Sequence, residues 1–265
     1  MVVAVAGMMA FAYISFESIA VNRGAIASVS GQLERARLEA AANSGIALAI
    51  HGVAVQDAGK RWTIDGKART LAMGDMILSI AVQDERGKIP VNRLDEDQVR
   101  AMFATLGATG NRLDVLVDSF EDWQDTGEDP RPNGAKAAYY QPFGIKERDG
   151  PFRTIDELSE IRGMDTDLFA KLKPSLTVFF GDAGGFSVQT AQPLALAVMT
   201  NPDGSNAAEP PPVSAYQISE VADLIGRPLT VEVDVKDANG GAFHRDAIIE
   251  LTGNKLNPYW IRYVD

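Results

Sequence analysis

The sequence predicts an α+β fold in which a long N-terminal helix packs on an antiparallel sheet that carries a large inserted all-α domain. Strand-like alternation occurs before residue 84 and again after residue 228, whereas residues 85–180 have the spacing of short helices. No proline occurs before Pro90, which favours one continuous helix at the start. We therefore divide the chain into five segments: a transmembrane and stem helix at 1–55, a first β part at 56–84, the helical insert at 85–180, a linker with short helices at 181–227, and a second β part at 228–265.

Composition limits the classes of function. The chain has 265 residues, 46% of them hydrophobic, which is enough for one large domain or two small ones. Its formal net charge of -11 argues against a nucleic-acid binder, because an acidic surface repels phosphate. There is no cysteine, so disulfides, thiolate metal sites and cysteine nucleophiles are excluded.

The N-terminal run Met1–Ile14 is apolar and uncharged, and the first charged side chain is Glu17. It is somewhat shorter than the roughly 20 apolar residues that a spanning helix needs. We expect the helix to continue to about Gly52, well past membrane depth, so that it acts as a packing stem. The alternative is a signal anchor that only tethers the protein. In both cases the predicted membrane anchor consists of Val2, Val3, Val5, Met8, Met9, Phe11 and Ile14.

The first β part contains three runs of strand-forming residues, at 62–64, 68–71 and 76–82. The turn signals Asp65-Gly66-Lys67 and Gly74-Asp75 separate them. A long helix followed by a small meander is typical of a pilin-type α+β domain. In such a pilin-like layout, the C-terminal half of the helix packs on the sheet.

The insert begins with two amphipathic helices. Asn92 marks a predicted N-cap region, and the first helix is predicted from Asp95 to Leu106. The second runs from about Arg112 to Trp123. Helical spacing assigns one apolar stripe of each helix to the core: Val99, Met102, Phe103, Leu106, Leu113, Leu116, Val117, Phe120 and Trp123.

The other face of the second helix is acidic. Seven acids and no Lys or Arg lie between Leu113 and Pro130, and clustered carboxylates repel one another unless a cation neutralises them. A Gly/Pro loop at the end of the helix could bend several oxygens around one hard cation such as Ca²⁺. The spacing is not that of an EF-hand, and a solvated acidic face partly paired with Arg131 is the alternative that the bare sequence favours. The candidate ligands are Asp122, Asp125, Glu128 and Asp129.

Residues 155–161 and 166–172 predict two short helices around the turn Arg162-Gly163-Met164, with a capping box formed by Thr154 and Glu157. The arrangement resembles a helix-hairpin-helix, whose glycine-rich turn binds phosphate in DNA-binding proteins. Asp165 stands where a second glycine would help, and its carboxylate repels phosphate. A compact packing unit is therefore favoured, and a membrane-tethered nucleic-acid-binding protein is the alternative function.

The last third predicts short helices at 188–199 and 217–225, separated by a Pro-rich linker at 201–213. Residues 229–236 alternate between valine and charged side chains, which indicates a strand with one buried face. Residues 242–251 and 259–264 predict two more strands. We expect these strands to complete the sheet that the early meander begins.

No catalytic residue is predicted. His51 and His244 lie far apart in no ligand spacing, and no nucleophile-elbow, P-loop or dinucleotide pattern occurs. The adjacent acids Glu121 and Asp122 could in principle perform glycoside chemistry. No run of aromatic residues beside them indicates a substrate groove, so a hydrolase is not favoured.

An ordered set of motifs resembles the minor pseudopilin K family of the type II secretion system, also called general secretion pathway protein K. The resemblance covers about the first two-thirds of the chain well. Its elements, in order, are the hydrophobic N-terminal helix, E-R-G-K-I-x-V-N-R-L at 85–94, D-W-x-D at 122–125, R-P-N-G-A at 131–135, Tyr139-Tyr140, G-P-F at 150–152 and the hairpin at 154–178.

The resemblance implies a non-enzymatic protein of the bacterial inner membrane, with one transmembrane pass and a periplasmic C-terminal domain. Such proteins sit at the tip of a short pseudopilus and associate with the minor pseudopilins of types I and J. The major pseudopilin and the inner-membrane secretion platform are further implied partners. Family members bind calcium in the inserted α-domain, which strengthens the calcium hypothesis for Asp122, Asp125 and Asp129.

Two features depart from the family pattern. No basic leader precedes the apolar run, and cutting at Gly7-Met8 would leave a very short span, so we expect the true start to lie upstream of Met1. After Gly134-Ala135 the family usually has an acid, whereas this sequence has Lys136. The lysine removes one candidate calcium ligand.

Overall fold

A computed structural model describes residues 29–180, 185–200, 218 and 220–265. The first described element is the helix α1, which covers 29–54 and so ends close to the predicted Gly52. The seven predicted anchor residues lie outside the described residues. Within those residues, no helix combines the length and apolar character that crossing a bilayer requires.

Five strands form one sheet in the order β1-β2-β5-β6-β7, and β1–β2 and β6–β7 pair antiparallel. The strands from the two ends of the sequence therefore belong to the same sheet, as predicted. Together with α1 they confirm the α+β pilin-like fold. The strand bounds are β1 Arg69–Met73, β2 Met76–Asp84, β5 Pro228–Asp237, β6 Ala242–Leu251 and β7 Tyr259–Val264.

The alternation predicted for β5 is confirmed. Val231, Val233 and Val235 are fully buried, whereas the intervening charged residues of this strand are exposed. Because successive side chains point to opposite faces, the strand has one dry and one wet face. The same alternation in β2 buries Leu78, Ile80 and Val82.

The described residues divide into two compact units, and β2, β5 and β6 have residues in both. The first unit contains 29–48, 68–80 and 232–245. In it, Gly45 of α1 lies against the sheet, and an added Cβ would come within 2.6 Å of Val233 Cγ1. Glycine thus permits the close approach of helix and sheet. The five-segment division proposed from the sequence is a different partition, and its boundaries stay a prediction.

The second unit contains the helical insert, within 49–67, 81–231 and 246–265. Seven of the nine residues of the predicted core stripe are buried, with Phe103, Leu116 and Phe120 fully inaccessible, whereas Leu106 and Leu113 are partly buried against the core. The Phe120 ring packs against the rings of Phe103 and Phe152. The α-helices of this unit are α2 Glu96–Thr105, α3 Gly110–Gln124, α4 Ala137–Tyr140, α5 Thr166–Leu172 and α6 Pro193–Thr200.

Two short strands join the ends of the insert. β3 (Ile89–Pro90) pairs in parallel with β4 (Leu176–Thr177), and Ile89 and Leu176 are both buried. The chain therefore enters and leaves the helical lobe at one place. A two-residue pairing between segments so distant in sequence has no local signal.

Four local predictions were wrong. Residues 62–64 are not a strand, because Trp62 instead covers Gly52 at the end of α1. Asp95, not Asn92, caps α2. The first hairpin helix is a 3₁₀ helix, Ile155–Glu160, although its predicted capping box is confirmed. Of the helix expected at 217–225, residues 217 and 219 lie outside the described residues, Glu220 is extended, and Val221–Leu224 form a 3₁₀ turn.

Replacing Gly45 with alanine tests the helix-sheet contact, with Gly31→Ala as the matched control. Both changes favour a helix by about 0.5 to 1 kcal/mol, and an added Cβ at Gly31 meets nothing within 4 Å. Overpacking against Val233 should make Gly45→Ala less stable than Gly31→Ala by about 1 to 3 kcal/mol. Urea unfolding followed by circular dichroism measures the difference, and equal stabilities would show that the contact is loose.

Candidate functional site

The candidate functional site is the acidic face of α3 together with residues 125–136, which we call the return loop. The apolar face of α3 is fixed by the core, with Phe120 and Trp123 buried. This fixed face determines where the acids of the opposite face point. The return loop folds back over them, so the face is neither fully solvated nor open.

Asp118 and Asp122 hold the return loop through its backbone. Asp118 Oδ2 accepts hydrogen bonds from Asn133 N at 2.9 Å and from Asn133 Nδ2 at 3.0 Å. The two Asp122 carboxylate oxygens accept from Arg131 N at 3.2 and 3.1 Å. The R-P-N-G-A motif therefore supplies donors to the helix carboxylates, which is the arrangement that a buried acid requires.

Asp122 is only 1% exposed. Burial raises the pKa of its carboxyl group, while hydrogen bonds from the backbone of Arg131 and Ala135 and the charge of Lys136 act in the opposite direction. Gly134 makes this packing possible, since a Cβ there would overlap the Asp122 carboxylate. A steric demand, rather than a positive φ, thus accounts for the glycine of the motif.

The other acids of the face have different partners. Arg131 lies 3.6 Å from Glu121 of this face, so the predicted pairing is present, and it lies 2.9 Å from Glu96 of α2. Arg100 pairs with Asp114 at 2.9 Å. These charge pairs neutralise part of the face at the protein surface, where each is worth little on its own.

The four candidate calcium ligands are not brought together. Asp122 is buried under the return loop, whereas Asp125, Glu128 and Asp129 are exposed. The Asp125 carboxylate accepts from Gly127 N at 3.1 Å in a local turn. Among the residues that the structure describes, no three His, Asp or Glu side chains converge in a way that could hold a metal ion. Calcium binding stays a prediction, for which this arrangement of donors is a poor fit.

Lys136, which follows the motif, is buried at 5% exposure. Its Nζ donates to the carbonyl oxygens of Asp122 and Asp125, each at 2.6 Å. The nearest carboxylate oxygen that pairs with it, Asp149 Oδ1, is 4.0 Å away. The positive charge at the end of the acidic face is therefore the ammonium group of Lys136.

The E-R-G-K motif forms a second buried polar cluster, at the base of the insert. Glu85 is 2% exposed and lies 2.6 Å from Lys88 Nζ. It also accepts hydrogen bonds from the hydroxyl groups of Thr177 in β4 and Thr230 in β5. One carboxylate therefore links the start of the insert, its end and the sheet.

Asp84 lies beside Glu85 and is fully buried. It accepts from Thr190 Oγ1 at 3.0 Å and lies 3.5 Å from Arg227. Burial raises the pKa of Asp84 to about 6, despite the opposing charge of Arg227. Sequence reasoning assigned no role to this residue. The signal was present, because Asp84 continues the buried alternation of Met76, Leu78, Ile80 and Val82.

Asn92 joins two further motifs. Its side-chain Nδ2 donates to Phe152 O, and its Oδ1 accepts from Phe152 N, both at 2.8 Å. The side-chain amide thus pairs with the backbone N–H and C=O of Phe152, as a neighbouring β-strand would. Its role is long-range pairing rather than the predicted capping of α2.

The turn of the helix hairpin is occupied by a carboxylate. Asp165 accepts from Leu168 N at 2.8 Å as the N-cap of α5, and its carboxylate pairs with Arg112. The hydrogen bond from Leu168 lowers the pKa of Asp165. A negative charge therefore lies where a DNA-binding hairpin would receive a phosphate, which favours the packing-unit interpretation.

The Asp84→Asn variant tests the buried cluster by its pH dependence. Since the folded-state pKa of Asp84 is about 6, above its ordinary value of 3.8, its stabilising contribution is full below the unfolded pKa. That contribution is lost as the pH rises through about 6. We expect wild type to lose more stability between about pH 3 and about pH 7, roughly one unit beyond either pKa, than the variant. Urea unfolding across this range measures both slopes, and a variant with the same slope would contradict the assignment.

The comparisons with known proteins agree with these motifs. The family model described as "Type II secretion system (T2SS), protein K" matches residues 77–181, from β2 to just beyond β4. The type II secretion system protein K of Pectobacterium carotovorum subsp. carotovorum is 29% identical over 113 residues, covering 38% of this chain and 33% of that protein. The match thus spans about a third of the relative's length.

The fold is also similar to that of a solved protein. A chain in the crystal structure of the GspK–GspI–GspJ complex of the type 2 secretion system from enterotoxigenic Escherichia coli has a TM-score of 0.64. The similarity covers 89% of this chain and 98% of that chain, at 14% identity. It shows a shared fold over most of the described chain. Residues 77–181 therefore match the protein K family of the type II secretion system, and the resemblance of the sequence to that family is confirmed.

Proposed function

We propose that this protein is a non-enzymatic minor pseudopilin at the tip of the type II secretion pseudopilus, where it initiates or caps assembly for protein export across the outer membrane. The observation that carries the proposal is the match of the helical insert to the protein K family. The insert is joined to a pilin-like helix and sheet, as the fold similarity supports. A structural subunit of this kind acts by its surfaces rather than by a catalytic centre.

The proposed partners are the minor pseudopilins of types I and J. The support is the solved complex that contains the chain of similar fold, a complex of GspK with GspI and GspJ. The major pseudopilin and the inner-membrane secretion platform are further proposed partners. The proposed location is the inner membrane, with the apolar run Met1–Ile14 as a single-pass anchor and the described residues in the periplasm.

The tip assignment is tested by secretion and by complex formation in the source bacterium. Deleting the gene should leave type II substrates in the periplasm, and the full chain supplied in trans should restore them to the medium. A tagged full chain, purified from detergent-solubilised membranes, should bring down the type I and type J pseudopilins. Normal secretion in the deletion strain, with neither protein recovered, would contradict the proposal.

The nucleic-acid alternative is tested separately by a fluorescence anisotropy titration of the full chain with duplex DNA at low salt. Because Asp165 occupies the hairpin turn, we expect no saturable binding. Saturable binding that weakens steeply with added salt would favour the alternative function.

A further inference from the structure

The C-terminal end of α3 carries negative charge that no Lys or Arg of the helix neutralises. The last carbonyl groups of a helix lack intrahelical partners and carry the negative end of the helix dipole. Here the acids Glu121, Asp122 and Asp125 occur at the same end. Such an end requires a positive charge, and none occurs in the sequence between Leu113 and Pro130.

Lys136, eleven residues beyond Asp125, supplies a positive charge at this end of the helix. A buried ammonium group is costly unless oxygen atoms replace its hydration. Its Nζ contacts the carbonyl oxygens of Asp122 and Asp125, both at 2.6 Å. This distance is slightly shorter than the roughly 2.7 to 2.9 Å of a charge-assisted hydrogen bond, so the carbonyl groups hold the ammonium closely.

Three acidic side chains interact electrostatically with this ammonium group. Its charge opposes the rise in pKa of both Asp122 and Glu147, and Asp149 lies 4.0 Å away. Glu147 is itself 7% exposed, and Ala137 next to Lys136 donates its backbone N–H to it. The ammonium therefore connects three parts of the chain: the end of α3, the return loop and the segment 147–149.

We propose that the Lys136 ammonium is a tethered cation that takes the place of a divalent metal ion and holds the end of α3, the return loop and segment 147–149 together. Both Asp122 carboxylate oxygens accept from the backbone N–H of Arg131, and Nζ occupies the space between the two carbonyl oxygens. A calcium ion at this place would have to displace the ammonium. The return loop therefore needs no metal to keep its shape.

Hydrogen exchange of the full chain in detergent tests the proposal locally, in peptides that cover residues 118–137. In wild type, exchange should be the same in EDTA and in millimolar calcium. In Lys136→Met the carbonyl groups and acids lose their cation, and exchange should rise by about tenfold or more. Lys173→Met is the control, because Lys173 makes an exposed ion pair with Asp156 at 2.6 Å. That control should exchange in these peptides as wild type does.

A third variant, Lys136→Glu, turns the tethered cation into an additional oxygen ligand. A cavity of about 630 Å³, lined by Lys136, Glu147 and Asp149 among others, gives a small ion access to this place. Its exchange should be fast in EDTA and slow in calcium, with saturable heat in a calcium titration that wild type lacks.

Three results would overturn the proposal. Slower exchange or saturable heat for wild type in calcium would show a metal site beside Lys136, in support of the calcium hypothesis. A Lys136→Met variant that exchanges like Lys173→Met would show that the ammonium does not stabilise the end of α3 and the return loop. A Lys136→Glu variant that calcium does not protect would show that the place is not suited to a metal-like cation.

Discussion

The buried carboxylate of Glu85 is the interaction on which the second compact unit depends. It lies 2.6 Å from Lys88 and accepts from Thr177 and Thr230, so it touches the beginning of the helical insert, its end and β5. A buried charge is tolerated only when its partners are complete, and removing one partner costs more than the pair contributes. Such a cluster therefore fixes where an insert can leave and rejoin a sheet.

The same principle recurs at the acidic face of α3. Carboxylates that would repel one another are held by backbone N–H groups of the return loop, by Arg131 and by the charge of Lys136. Residues of several motifs have a structural role here: Gly134 gives room to Asp122, and Asn92 pairs with Phe152. These residues hold parts of the lobe together.

Local patterns were sufficient for much of the fold. The bounds of β6 and β7 match the prediction, and α2 and α3 differ from it by one or two residues, because alternation and helical spacing are local. Non-local pairing was not accessible: β3–β4 has two residues on each side, and Asn92 was assigned to a nearby cap because its partner is distant. Trp62 suits a strand, but packing against Gly52 decides its conformation.

The candidate site was accessible only in part. The acidic face and the pairing with Arg131 follow from the spacing of charges, and Lys136 was recognised as a departure that removes a ligand. The contact of its ammonium group with two carbonyl oxygens could not be predicted, because it depends on the path of the return loop. The donors to Asp122 are backbone N–H groups, which every residue except proline carries. No pattern of side chains in the sequence could therefore predict them.

The most direct test of this account is hydrogen exchange in a Glu85→Ala variant, followed peptide by peptide. If Glu85 unites the insert and the sheet, exchange should accelerate together around residues 85–90, in β4 at Leu176–Thr177 and in β5 at Pro228–Val231. An acceleration confined to residues 85–90, with β4 and β5 exchanging as in wild type, would contradict it.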